Sequence, residues 1–342
     1  GSGHLSDTCK LMKLITNEAI QRKCHGAYEW LCVVWCALLC SKACALSSYS
    51  RVSTISPARV SLDPNVMPLD AAPLCRMPAM EGFTPIQIKI SSDNLRALEF
   101  YEGKLTPEQV RLKCIGKSPP HCVSLPANSS KSPQSCLKVE CPCQQDFSWI
   151  HPSFSAWLEN VLVPECHAKI NGAAQPFRVL IIGLGGGVMP MALLDRCPPG
   201  MQIENVEYDP QVLKVATRFF GFQLAEGTNM VEISDGGEAV HRRAQRSEQY
   251  DVVLVDAFSG EGVPESCRSR EFIKDVRSIL KPGGLAFHNI NVTPQFTQIF
   301  LDYHQTFGKG SVEGRVYGRS PKGLEKWFIL ARRDSPVAAH MK

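Results

Sequence analysis

RVLIIGLGGGVMPMALLDRCPPGMQIENVEYD, Arg178 to Asp209, is the stretch that decides the fold. Val179 to Ile182 are all branched and apolar, as in a strand buried on both faces, and they turn at once into Gly183-Leu184-Gly185-Gly186-Gly187. Glycines suit such a loop because the backbone must take dihedrals denied to other residues, and because a ligand must approach the main chain with no Cβ in the way. Pro190 fits the first turn of a helix. A second strand, Ile203 to Glu207, then ends in a carboxylate. Strand, glycine loop, helix, strand and terminal acid describe a nucleotide-binding βαβ unit whose acid accepts from the ribose hydroxyls.

The spacing says which nucleotide to expect. A dinucleotide fingerprint is G-x-G-x-x-G/A, whereas here the glycines fall as G-x-G-x-G and the sixth place is Val188. That departure favours S-adenosylmethionine, because no pyrophosphate then has to sit on the helix N-terminus. Three glycines alone can be a turn and nothing more, so the residues downstream of the loop carry more weight.

Asp209 is a good N-cap and Pro210 a good first helical residue, with Val212, Leu213, Val215, Ala216, Phe219 and Phe220 on the apolar face and Gly221 closing the helix. VEISDGGEAV supplies a third strand ending at Asp235-Gly236, where the carboxylate can accept from an adenine amino group or simply cap a turn. Tyr250 to Asp256 is a fourth buried strand with an acid at its carboxyl end, the edge at which open α/β sheets bind ligands. A helix from about Ser269 to Leu280 stops at Lys281-Pro282-Gly283-Gly284, and a fifth strand, Leu285 to Ile290, carries His288 and Asn289 near its end. A lone His288 there reads more readily as structural than as catalytic. Thr293-Pro294 opens another helix, and SVEGRVYG with LEKWFILAR reads as a hairpin.

The front of the chain is different. The 342 residues are 44% hydrophobic and 20% charged, ordinary for a globular protein, with a net charge of +4 and no basic run that suggests a nucleic-acid groove. Residues 1–79 read as a targeting or disordered extension: Leu31 to Leu46 is apolar but short for a membrane span, and Ser47 to Leu62 is rich in Ser and Arg with no acid. Met12 is the first candidate start, and translation from Met80, where the sequence first looks folded, is a further alternative. Residues 80–145, with the alternating PIQIKI (Pro85 to Ile90) and a second strand expected over Cys136 to Glu140, read as a small strand-rich domain. Residues 146–335 read as the nucleotide domain, entered through a helix bearing Phe154, Trp157, Leu158 and Val161. The aromatics Phe147, Trp149, Phe154 and Trp157 fit core packing better than a substrate pocket.

Fifteen cysteines, scattered and odd in number, are expected to be free thiols in an intracellular nucleotide fold. His121, Cys122, Cys136, Cys141 and Cys143 lack paired C-x-x-C spacing, so no metal site is expected.

GLGGGVMP, VEYDPQVLKVATRFFGF, the Asp235-Gly236 pair, DVVLVDAFSGEGVPE, EFIKDVRSILKPGG and Asn289 together resemble the spermidine-synthase-like branch of the class I methyltransferases. That branch includes the C-terminal domain of the elongation factor 1-alpha lysine and N-terminal methyltransferases. The resemblance covers about Asp146 to Arg332. It implies a Rossmann-like parallel sheet ending in an antiparallel hairpin, and S-adenosylmethionine as cofactor. Gly183, Leu184, Gly185, Gly186 and Gly187 would lie along its methionine part, Glu207 on the ribose, and Tyr208, Asp235 and Gly236 on the adenine. Asp256, Phe258 and Asn289 would stand at the reacting centre, Asp256 also bordering the cofactor.

Polyamine synthases of this branch carry a second aspartate three residues after the first, and here that position is Ser259. Methyl transfer to an amine of a protein or a small molecule is therefore expected before aminopropyl transfer, with a non-catalytic cofactor-binding protein as the remaining alternative. No nucleic-acid partner and no stable membrane span are expected, a homodimer is an assembly the reading allows, and the location is cytoplasmic unless the extension is an organellar address.

Overall fold

The computed structural model describes residues 73–334 apart from short stretches, among them 101–108, 125–133, 148–156, 259–261 and 320–324. Among the described residues seven strands come before the nucleotide domain: β1 (Pro73–Met77), β2 (Ile86–Ile90), β3 (Leu95–Phe100), β4 (Gln109–Lys113), β5 (Val123–Ser124), β6 (Gln134–Ser135) and β7 (Val139–Glu140). Five of them make a sheet in the order β4-β3-β2-β1-β6, while β5 pairs with β7. β1 lies ahead of the Met80 boundary read from the sequence. PLCRM, with a proline first and a charge in the middle, offers no clean alternation by which to find it. Of the strand expected over Cys136 to Glu140 only Val139–Glu140 is described as strand, β7, while β6 ends just ahead of that range at Ser135 in the other sheet.

A π-helical turn over Leu158–Leu162 then runs into α1 (Val163–Ile170). The rest alternates: β8 (Phe177–Ile182), α2 (Val188–Arg196), β9 (Met201–Glu207), α3 (Pro210–Phe219), β10 (Asn229–Ile233), α4 (Gly236–Gln245), β11 (Tyr250–Val255), α5 (Arg270–Ile279), β12 (Leu280–Asn291), α6 (Phe296–Phe307), β13 (Val312–Arg319) and β14 (Glu325–Arg332). They form a seven-stranded sheet, β10-β9-β8-β11-β12-β14-β13, parallel through β12 and closed by the antiparallel pair β14 and β13. The Lys281-Pro282-Gly283-Gly284 stop lies inside β12 as a break in register against β11.

Period-two alternation explains the layers. Leu180 and Ile182 of β8 face a core built with Ala239, Ile273 and Tyr303 of α4, α5 and α6. Val179 and Ile181 face the other side, where Ala192 of α2 lies and Trp157 stacks on Phe287 with ring centroids 4.3 Å apart. Trp157 and Phe147 are thus core residues, whereas Trp149 and Phe154 lie outside the described residues. Ile86, Ile88 and Leu98 of the smaller sheet share a third core with Val212, Val215 and Phe219 of α3 and with Leu184 and Val188 of the glycine loop.

The cysteines correct the expectation of free thiols. Cys75 is bonded to Cys136, Cys114 to Cys143 and Cys166 to Cys197; Cys141 is also disulfide-bonded, and among the described residues Cys267 alone is free. Partners 61, 29 and 31 residues apart leave no local signature in a sequence. With their sulfurs tied up in disulfides, Cys136, Cys141 and Cys143 hold no metal.

Candidate functional site

The carboxyl ends of β8, β9, β10 and β11 bring together almost every residue singled out in the sequence. Gly183, Gly185 and Gly187 have φ of 96°, 53° and 68°, the left-handed region that glycine enters without strain. At Gly183 a Cβ would press on the backbone of Asp256 and Ala257. Glycine there lets the loop after β8 lie against the end of β11.

Glu207 sits at the end of β9, where its carboxylate organises the loop. It accepts from the Leu184 N–H at 3.0 Å and the Asp209 N–H at 2.9 Å. Asp209 in turn caps α3, accepting from the Gln211 N–H at 2.8 Å. Burial raises the Glu207 pKa, and the backbone N–H groups of Asp209 and Leu184 pull the other way. The Gly185 N–H is a third backbone donor, so of a carboxylate's roughly four acceptor positions about one remains for a ribose hydroxyl.

Asp235 caps α4 with one oxygen, accepting from the Glu238 N–H at 3.0 Å, and with the other accepts from the Ser266 hydroxyl at 2.8 Å. The reading as a capped turn and the reading as a ligand contact are therefore compatible. Nothing in the sequence marks Ser266, which reaches Asp235 from the segment after β11. A Cβ on Gly236 would stand 2.8 Å from the sulfur of Cys267, so that segment packs directly on the Asp235-Gly236 turn. Tyr208 is 56% exposed, and its ring lies 5.1 Å from that of Phe83, which precedes β2. The smaller sheet thus approaches the same edge.

Asp256 follows β11, and Asn289 of β12 donates to its Oδ1 at 2.8 Å. Burial pushes the Asp256 carboxyl up to about 6, opposed by the Asn289 hydrogen bond. Phe258 is partly buried against the core on the α5 side, and Ser259 lies outside the described residues. His288 takes the structural role: it is fully buried, its Nδ1 lies 3.1 Å from the Tyr303 hydroxyl, and burial pulls its pKa down to about 3. A ring held neutral and sealed from solvent supports the core. What the edge offers is a glycine-lined backbone, acids at the ends of β9 and β10, and a third acid with an amide beside it.

Residues 163–313 match the spermine/spermidine synthase domain. A polyamine aminopropyltransferase of Vibrio vulnificus (strain CMCP6) is 36% identical over 143 residues, which are 42% of this chain and 46% of that protein. The human eEF1A lysine and N-terminal methyltransferase is 34% identical over 149 residues, 41% of this chain and 20% of that one. The chain thus spans less than half the length of either relative. A crystal structure of spermidine synthase with a transition-state analogue superposes with a TM-score of 0.51 at 14% identity, covering 77% of this chain and 75% of that one, a likeness of fold.

Proposed function

We propose that this chain, whose residues 163–313 match the spermine/spermidine synthase domain, is an S-adenosylmethionine-dependent methyltransferase acting on an amine of a protein or small molecule. The observation that carries the choice is the acceptor end of the site, where Asp256 faces the neutral Asn289. A di- or polycationic acceptor calls for charge-assisted partners at both amines. Leaving one buried charge unpaired costs about 2–5 kcal/mol. The chain has Ser259 where polyamine synthases of the resembling branch carry their second aspartate, so a single amine is the better fit. Relatives of both kinds match this chain, so the residue three places after Asp256 is the one on which the choice between them rests here.

Methyl transfer from a sulfonium is an in-line displacement, so positioning supplies much of the rate and no covalent intermediate is needed. The residues fit the cofactor: the glycine backbone can lie along its methionine part, Glu207 accept from the ribose, and Asp235 accept from the adenine amino group. S-adenosylmethionine supplies the methyl group. With Asn289 holding one oxygen of Asp256, the other is free to orient the amine N–H and to receive its proton. Phe258 would wall the amine from water.

The seven cysteines that are disulfide-bonded among the described residues support an oxidising compartment, and so the reading of Leu31 to Leu62 as an address. The activity test incubates the protein with putrescine and decarboxylated cofactor, in parallel with methyl-labelled S-adenosylmethionine and a lysate. The expected result is label on an acceptor without spermidine. Spermidine formation with no label transferred would overturn the choice.

A further inference from the structure

The cofactor loop rests on a support that begins in the other sheet. α3 ends in a reversal: Phe220 and Phe222 both donate their N–H to the Ala216 carbonyl, and Gly221 between them has φ of 70°. The last carbonyls of a helix have no partner within it, and here they are filled from outside. The Cys141 N–H donates to Arg218 O at 3.3 Å and the Gln145 side chain to Phe220 O at 2.7 Å. The Arg96 guanidinium of β3 donates to Phe219 O.

Arg96 also binds the segment that does this capping. It donates to the carbonyls of Cys141 and, at 2.9 Å, Pro142, as well as to Asn94 Oδ1 at 3.3 Å. The side chain is fully buried and receives its compensation from carbonyls and an amide, with no carboxylate among those partners. Residues 141–145 therefore form a strap, held to Arg96 and α3 along its length. Its far side is pinned by the Cys114–Cys143 disulfide and by two backbone bonds, Ile115 N–H to Gln144 O and Asp146 N–H to Lys113 O. The strap passes so close that a Cβ on Gly221 would meet the Cys143 carbonyl.

What the reversal holds in place is Phe222. Its buried ring sits under the glycine loop, where a Cβ on Gly187 would stand 2.5 Å from the ring edge. Gly187 is the turn residue that opens α2, donating its N–H to Leu184 O at 2.9 Å, and Leu184 is the residue whose N–H is held by Glu207. A contact path thus runs from Arg96 through the strap, Gly221 and Phe222 to the backbone that would hold the cofactor.

We propose that Arg96 and the disulfide-pinned strap 141–145 are positioning elements of the cofactor site, setting through Phe222 the height of the Gly183–Gly187 loop. The proposal rests on the reading of that loop as an S-adenosylmethionine site. It assigns the smaller sheet a part in cofactor affinity in addition to whatever it does for the acceptor.

The test uses the full chain and three variants: Arg96→Lys, which keeps the cation and loses the planar fork; the double change Cys114→Ser with Cys143→Ser; and Phe222→Leu. Thermal unfolding identifies the variants that fold, and these are titrated with S-adenosylhomocysteine and assayed for KM and kcat with S-adenosylmethionine. The expected result is a five- to twentyfold loss of cofactor affinity, a matching rise in KM, and kcat at saturating cofactor within twofold of the parent. Unchanged affinity in any two folded variants overturns the positioning role, as does a kcat that falls while KM stays put. A parent protein that fails to bind S-adenosylhomocysteine overturns the cofactor reading itself, and the positioning role with it.

Discussion

The large sheet carries acids in two places, and it treats them in opposite ways. Towards the starts of β8 and β11, Glu204 meets Arg178 at 2.6 Å and Arg243 at 3.2 Å, the Tyr250 hydroxyl donates to it at 2.8 Å, and Arg178 lies 4.4 Å over the Tyr250 ring. Burial works against the Glu204 charge, but Arg178, Tyr250 and Arg243 outweigh it and hold the pKa below the usual range. Three residues on along the same strand, Glu207 is pushed up by burial and has backbone amides for partners. β11 repeats the contrast: Asp251 pairs with Lys281 at 2.6 Å, whereas Asp256 beyond its end faces Asn289 and is pushed up to about 6. Neutralised acids stabilise the fold, and the acids that have no counter-ion among the described residues are the ones we propose for the ligand. Perturbation of that second kind is what marks a site.

The largest effects are expected at the acids that differ most. Asp256→Asn is expected to lower methyl transfer by on the order of 10²–10⁴, the usual worth of a positioned proton acceptor, while leaving the melting temperature at pH 8 equal or higher. A fall in both would place Asp256 among the structural acids. Glu207→Ala is expected to weaken cofactor binding about a hundredfold in a protein that still unfolds cooperatively, since losing a buried charged contact costs about 2–5 kcal/mol. Glu204→Gln should do the reverse, costing about 2 kcal/mol of stability by taking one carboxylate from Arg178 and Arg243, which keep Glu248 and Glu232, and leaving cofactor affinity within twofold. Urea unfolding and calorimetry on the two glutamate variants, side by side, check both halves.

A titration sharpens the same contrast, because the two groups respond to pH with opposite sign. The Asp256 pKa is raised in the folded state from 3.8 to about 6, so its contribution to stability is full below the lower value and is lost as pH rises through the upper one. Glu204 is lowered, so its contribution is present above the unfolded value and lost as pH falls through the folded one. Asp256→Asn should flatten the stability profile between about pH 4 and 6, and Glu204→Gln should flatten it at the acid end. The smallest effect belongs to Ser266→Ala, which removes one neutral donor from Asp235. About 1 kcal/mol, or roughly fivefold in cofactor affinity, is the expected loss by calorimetry.

What can be read from the sequence is whatever is written locally. A strand running into glycines, a carboxylate at the next strand end and an Asp-Pro helix start are patterns within a few residues, and the structure places Gly183, Glu207 and Asp209 in one compact unit. Asp256 just beyond β11 and Asn289 on β12 are 33 residues apart, and their 2.8 Å contact joins them because parallel pairing puts the two strand ends side by side. The supports are not legible. Arg96 reaches a carbonyl 123 residues away, and Cys75 a sulfur 61 residues away, with nothing near either residue to announce the partner. Ser266 is one serine among many until the loop folds back on Asp235. Long-range closure is decided by packing, and one chain read in order does not show it.

We propose that the acids at the carboxyl edge, which have no cationic partner among the described residues, hold S-adenosylmethionine. Calorimetric titration of the full chain with S-adenosylhomocysteine, and separately with NAD, tests it most directly. Binding of the former in the micromolar range with no heat from NAD is the result expected here; binding of NAD alone would contradict it.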